Sequence, residues 1–354
     1  MLGIAAALPE QVRTNDWWPT VTGREQGDVF EQPSAEVLRA RGVDPEVVPH
    51  FLAEAGDPFL GARKRRVLEQ GRSPSDLERE AALAAMSRAG IAPEAIDLLV
   101  VFSHVTDVAA PSNAPLLADR LGLRSDVLSL SAGREGASLP LHLELASSLM
   151  HSGPYEHALL IQSAVMSRVM KREHLTSRVV GDAAVAAVVG RVPDGFGVLG
   201  FRHHTMGDYF RMAQLLPAQN TDIPWYRGDA HQAALCWQSP VPELSRKMGA
   251  QIASVFEAVA RPLLDACGLE PADVTHLVAY EPRPWVPSAF CERLGIPPSR
   301  SSSRFGELGY TLAASSGLVL EGLVAQERVA RGDLVLVYSE GAGASSSGCL
   351  IRWH

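Results

Sequence analysis

Ala89-Gly-Ile-Ala-Pro-Glu-Ala-Ile-Asp-Leu-Leu-Val-Val-Phe102 and Cys267-Gly-Leu-Glu-Pro-Ala-Asp-Val-Thr-His-Leu-Val-Ala-Tyr280 are two copies of one pattern. Each places a glycine where a helix must stop, because glycine takes the left-handed conformation at little cost. Each ends in an apolar run of strand length, 98–102 in the first copy and 276–280 in the second. A second match follows in the same order, Arg120-Leu-Gly-Leu123 against Arg293-Leu-Gly-Ile296. In both matches the copies stand roughly half a chain apart, too far for a solenoid repeat. The chain therefore reads as a duplicated α/β unit.

Working outward, Ser75-Asp-Leu-Glu78 looks like a capping box opening a helix that runs through Ala81 and Arg88 to Gly90. Helices alternate with strands, so each copy should carry a mostly parallel sheet. The second copy ends in another buried strand, Leu334-Val-Leu-Val-Tyr338, followed by the loop Gly341-Ala-Gly-Ala-Ser-Ser-Ser-Gly348. Residues 203–247 are polar and rich in Trp, Pro and His, and read as an irregular insertion. The halves are set at 1–175 and 176–354.

The 354 residues are 46% hydrophobic and 20% charged, enough for a large core. A net charge of -8 argues against nucleic acid as a partner. No apolar run is long enough for a membrane span, and the apolar start at Met1 lacks a basic flank, so it reads as a strand. A cytoplasmic location is the default. Cys236, Cys267, Cys291 and Cys349 fit neither a zinc site nor a disulfide framework, so no metal is expected. Lysine occurs only at 64, 171 and 247, and this arginine bias suggests a GC-rich bacterial genome.

Several segments resemble ketoacyl synthase III, a family of the thiolase superfamily. They are Leu8-Pro-Glu-Gln-Val-Arg-Thr-Asn-Asp16, Gly61-Ala-Arg-Lys-Arg-Arg-Val67, Val180-Gly-Asp-Ala-Ala-Val-Ala186, Gly309-Tyr-Thr-Leu-Ala-Ala-Ser315 and Gly341-Ala-Gly343 through Leu350-Ile-Arg-Trp353. Each is weak alone, but the set covers nearly the whole chain in order. The resemblance implies a five-layered α-β-α-β-α thiolase fold built from two duplicated halves. It also implies a dimer that extends a first-half sheet across a twofold, with Leu159-Leu-Ile161 expected at the contact. The substrate would be an acyl group on coenzyme A or on the phosphopantetheine arm of an acyl carrier protein, with no separate cofactor.

The family's chemistry uses a cysteine at a helix N-terminus to take the acyl group. A histidine and an asparagine then hold the enolate formed when a malonyl thioester loses carbon dioxide. Counting forward from Asp126-Val127 puts Ser131 in the cysteine position; counting back from Glu144 to Gly153 puts Gly136 there, with Ser138 two residues on. The second register is favoured, because an insertion is cheaper in a loop than inside a buried helix. No cysteine precedes residue 236, so the nucleophile is missing in either register. The histidine position falls at Tyr280, or at Glu281 after a one-residue slip, and the asparagine position at Tyr310. Glu340 stands beside the glycine loop, whose Ala342 and Gly343 would offer an oxyanion hole.

Ser131 or Ser138 could accept an acyl group, or could simply satisfy backbone near a strand end or a helix start. His104, His203 and His204 are candidate bases, which Glu340 or Glu281 could orient; a lone histidine is more often structural. Arg63, Arg65 and Arg66, with Lys64, could meet carrier phosphates or form a solvated basic turn. Three functions keep the fold: a non-decarboxylating acyltransferase of natural-product biosynthesis, a silent subunit paired with an active synthase, or a thioester hydrolase. The assembly would be a homodimer, or a heterodimer in the second case.

Overall fold

The computed structural model describes residues 1–18, 34–218 and 234–354. The first sheet holds β1 (Gly3–Ala7), β2 (Leu98–Ser103), β3 (Leu128–Ser131), β4 (His157–Ala164) and β5 (Ala183–Gly190), in the order β1-β5-β4-β2-β3. The second holds β6 (Gly197–Thr205), β7 (His276–Ala279), β8 (Leu334–Gly341) and β9 (Ser345–Arg352), in the order β7-β8-β9-β6. β4 is parallel to β2 and antiparallel to β5, which is antiparallel to β1. β8 is parallel to β7 and antiparallel to β9, which is antiparallel to β6. β3 lies parallel to β2, and its counterpart is a single parallel bridge from Leu277 to Ser301. Strand for strand the sheets repeat one plan, and β2 and β7 are equivalents as the duplicated sequence requires.

Period-two burial sorts these strands into layers. Leu99, Val101, Leu159 and Ile161 pack on the helices α1 (Pro74–Ala89) and α2 (Asn113–Arg120) through Leu77, Ala81 and Leu117. Leu98, Val100 and Leu160 face the opposite way, onto α3 (Ser138–Ser152) and α6 (Ser315–Ala325), and meet Val278, Val335 and Val337 of the second sheet there. Leu277, Leu336 and Tyr338 pack on α4 (Ile252–Ala266) and α5 (Val286–Leu294) through Phe256, Leu263 and Phe290. The result is the five-layered α-β-α-β-α thiolase fold. Because helices cover both faces, the central strands are continuous apolar runs.

Five expectations need correction. The sheets are mixed rather than mostly parallel, because β5 and β9 each run antiparallel to both neighbours. The capping box of α1 is Ser73 with Asp76, while Ser75 and Glu78 are buried inside a polar network. β5 completes the first sheet, so sheet pairing divides the halves after Gly190 rather than at 175/176. Residues 203–205 belong to β6 and Pro242–Ala250 are helical, so the insertion is shorter than 203–247; part of it lies outside the described residues. Leu159–Ile161 sits between β2 and β5, fully buried, and cannot pair with a second copy; the edge strands of the sheet are β1, bonded only to β5, and β3, bonded only to β2.

Candidate active site

The connection from β3 to α3 carries the turn where a nucleophile is expected. Gly136 is buried there, and a β-carbon on it would lie 2.6 Å from the Glu340 carbonyl oxygen and 3.0 Å from Gly341 Cα. A β-carbon on Gly341 would lie 1.9 Å from the Arg134 carbonyl oxygen. The two glycines thus let the turn and the end of β8 touch backbone to backbone, and they leave no room for a side chain between them. Glu135, with φ of 55°, supplies the left-handed step that bends the chain into α3. Gly136 stands just before the N-cap residue Ala137. Ser138 is the first helical residue, fully buried, and its Oγ has no partner. Ser131 is exposed at the end of β3, opposite Val101, and stands apart from the helix start.

Three tyrosines and one carboxyl cluster in the second half, and the backbone of Glu340 touches the turn. Tyr280 follows β7 directly, and its ring centroid lies 6.3 Å from that of Tyr310 and 5.9 Å from that of Tyr338. The loop holding Tyr310 is tied to the first half: Tyr310 N donates to Val179 O at 2.7 Å, and Gly181 N donates to Tyr310 O at 3.1 Å. Glu340, 4% exposed, accepts from the Tyr338 hydroxyl at 3.4 Å and also from Tyr280. Burial pushes its carboxyl up to about 7, while the two tyrosine hydrogen bonds pull the other way. Burial, then the charge of Glu340, raises the hydroxyls of Tyr280, Tyr310 and Tyr338 above their ordinary value, so they act as neutral donors. Arg283 lies half-buried alongside, its Nε 3.7 Å from Glu54.

The candidate histidines part company. Phe102, which fills the space beside Gly133, holds His104 edge-on at 5.0 Å. The ring of His104 is buried near the backbone of Glu135 and Ser163, and burial lowers its pKa to about 4, so it is a neutral imidazole beside the turn. His203 faces the central layer, where its Nδ1 lies 2.9 Å from Ser347 Oγ and its Nε2 lies 2.5 Å from Glu144 Oε2. His204 takes the opposite face of β6. Glu281 is no partner for any of them: its buried carboxylate accepts from the backbone of Arg304 and Phe305 and from Ser303, and so shapes the loop leading to Tyr310.

The basic segment divides as well. Arg65 is fully buried, stacked on Trp18 and Phe59, and donates to Asn15 and to the Arg178 carbonyl. It holds the fold together and cannot meet a phosphate. Arg66 donates to the Pro9 and Glu10 carbonyls. Arg63 and Lys64 are exposed, both paired with Glu307.

Residues 133–207 match the family model of 3-oxoacyl-[acyl-carrier-protein (ACP)] synthase III, and residues 264–353 match the model of that enzyme's C-terminal part. The chain is a thiolase-superfamily protein, ketoacyl synthase III-like. This ketoacyl synthase III-like chain is 26% identical over 337 residues to the β-ketoacyl-[acyl-carrier-protein] synthase III of Caldanaerobacter subterraneus, covering 91% of this chain and 99% of the relative. It is 29% identical over 296 residues to the same enzyme of a Synechococcus, covering 83% and 86%. The solved 3-oxoacyl-(acyl carrier protein) synthase III of Pseudomonas aeruginosa superposes with a TM-score of 0.77 at 24% identity, covering 99% of this chain and 97% of that one. Xanthomonas campestris OleA, solved with bound lauric acid and lauroyl-CoA, superposes with a TM-score of 0.75 at 19% identity, covering 100% and 98%. Among the described residues, no group of three or more His, Cys, Asp or Glu is placed to hold a metal ion, and no helix is long and apolar enough to cross a membrane.

Sequence reasoning missed Ser346. It lies opposite Glu340 on one side and opposite His204 on the other, in the paired register of β8, β9 and β6. The run Ser345-Ser346-Ser347 hints at it, but only the pairing shows which serine shares a face with both.

Proposed function

We propose that this ketoacyl synthase III-like protein is a non-decarboxylating acyltransferase of bacterial natural-product biosynthesis, acting in the cytoplasm on acyl-CoA or on an acyl carrier protein. The observation that carries this reading is Glu340, a buried carboxyl held at about 7 at the strand end that touches the nucleophile turn. A base poised near neutral pH suits proton removal from an acceptor hydroxyl or amine. In the step proposed, Glu340 takes the acceptor's proton as the acceptor attacks the thioester carbonyl. The N–H groups of Ala342 and Gly343, at the partly exposed turn between β8 and β9, face the developing oxyanion. The carrier thiolate then leaves and takes a proton from water, which balances the proton held by Glu340. Tyr280 and Tyr310 fill the positions that the resemblance gives to histidine and asparagine, and act as neutral donors that hold Glu340 and the substrate. Tyr310 and Arg283 are half-buried, so the substrate side of the cluster is theirs. Exposed Arg63, with Lys64 beside it, is the phosphate-facing part of the basic segment.

The acyl group passes directly to the acceptor in this reading, since Gly136 has no side chain, Ser138 is sealed and Ser131 stands apart. The protein pairs as a homodimer along the free edge of β3. Intact-mass measurement after incubation with a panel of acyl-CoAs, with thiol release followed in parallel, tests it. Thiol release that depends on an added acceptor, without an acyl adduct and lost in Glu340→Gln, is the expected result; an adduct on Ser131 or Ser138 would overturn direct transfer. A second reading, the silent subunit of a heterodimer, is favoured by one observation: the backbone contact that leaves no space at Gly136. Thiol release with none of the acceptors, regained on adding a synthase-like partner, would decide for it.

A further inference from the structure

Glu340 is sealed from solvent, so a proton it takes during one turnover needs a route out before the next. Directly opposite residues of antiparallel strands share one face, with β-carbons about 4.5–5.5 Å apart. On the outer face of the second sheet such a row runs from Glu340 on β8 to Ser346 on β9 to His204 on β6. Tyr338, which packs on Phe256, and Gly348, which abuts Val259 and Leu263 of α4, show that this is the face under α4. Ser346 is fully buried, with the Tyr338 hydroxyl beside its own. A hydroxyl has one proton to donate and two lone pairs to accept with, so Ser346 can meet Tyr338 and still pass a proton along the row. His204 is partly exposed at the far end of the row.

We propose that Ser346 and His204 form a proton relay joining the carboxyl of Glu340 to solvent. The relay rests on the reading of Glu340 as the base. In each cycle the protonated Glu340 donates to Ser346 Oγ while the Ser346 hydroxyl proton passes to a His204 ring nitrogen. His204 then releases its proton to water, and Glu340 is left as carboxylate. Rotation of the Ser346 side chain brings Oγ within reach of either neighbour at the spacing of the register. The groups facing Glu340 within the cluster are the hydroxyls of Tyr280, Tyr310 and Tyr338, with the Arg283 cation beside them. The covering elements bring Phe256, Val259, Leu263 and Met248, and Lys247 is held over the Tyr209 ring at 5.5 Å. None of the apolar residues offers an alternative path. On the inner face, His203, Ser347 and Glu144 make a hydrogen-bonded set of their own that does not reach Glu340.

The test uses the full chain and reads the proton directly. The carboxyl band of Glu340 is identified in the infrared by its absence in Glu340→Gln. After a jump across the pKa of about 7, deprotonation should slow by roughly tenfold or more in Ser346→Ala. The midpoint should stay in place, and Ser346→Thr, which keeps the hydroxyl, should restore the rate. His204→Asn, at a partly exposed position, should slow it similarly. A Ser346→Ala rate within about twofold of the wild type would overturn the relay. If Ser346→Ala does not fold, an unchanged rate in His204→Asn overturns it instead. Failure of the base reading looks different: Glu340→Gln would keep full acyl transfer whatever the proton rates show.

Discussion

Replacing Glu340 by Gln removes a titrating proton at nearly constant volume. The folded protein holds that proton more tightly than the unfolded chain, because burial puts the carboxyl at about 7 against 4.5. The stability this gives is complete below about pH 4.5 and is lost as the pH climbs through 7. A gap of roughly 2.5 pH units, at about 1.36 kcal/mol each, sets the loss near roughly 3 kcal/mol. Gln does not titrate, so the variant should gain on the wild type by that amount between acid and about pH 8. At about 2.1 cal/mol/K per residue, a chain of this size unfolds with an entropy of roughly 0.7 kcal/mol/K, so the swing corresponds to about 4 °C in Tm. Thermal melts of both proteins across this range measure it. Glu281, also raised to about 7 by burial, titrates in both and cancels. Melting temperatures that run parallel at every pH would refute the placement of Glu340.

Ser138→Ala should leave stability unchanged or raise it by up to about 1 kcal/mol, because the buried hydroxyl it removes has no partner; a urea midpoint that falls would show a hydrogen bond overlooked. Gly136→Cys should not create a synthase: the new β-carbon meets the Glu340 carbonyl, and overpacking costs about 1–3 kcal/mol, so a lower Tm without condensation activity is expected. Arg65→Ala should lower stability by roughly 3 kcal/mol or more by emptying a packed, hydrogen-bonded site, whereas Arg63→Ala should leave the melt unchanged and weaken acyl-CoA binding in calorimetry.

The duplication was legible because it rests on local chemistry repeated twice. Gly90 and Gly268 both end helices in the left-handed conformation, and apolar runs follow each of them into β2 and β7. The absence of any cysteine before residue 236 was legible too, since it needs only a residue type. Other features were hidden because they depend on partners far apart in sequence. The sequence of Arg65 does not differ in kind from that of Arg63, yet one is buried against Trp18 and the other exposed. Leu159–Ile161 reads as an apolar strand whether central or at an edge; its place follows from β5, half a turn of the topology later. Ser75 and Glu78 fit a capping box in spacing, but Ser73 and Asp76 fit it equally and win the helix start. The row from Glu340 through Ser346 to His204 joins three strands, and only the register brings it together.

The most direct measurement is carbon dioxide release from malonyl-acyl carrier protein by the purified protein, beside an active ketoacyl synthase III. If, as proposed, glycine takes the cysteine position and tyrosines replace the imidazole and amide that hold an enolate, release should not exceed the enzyme-free background. Release at a rate comparable to the active synthase would contradict the assignment of these positions and with it the acyltransferase reading.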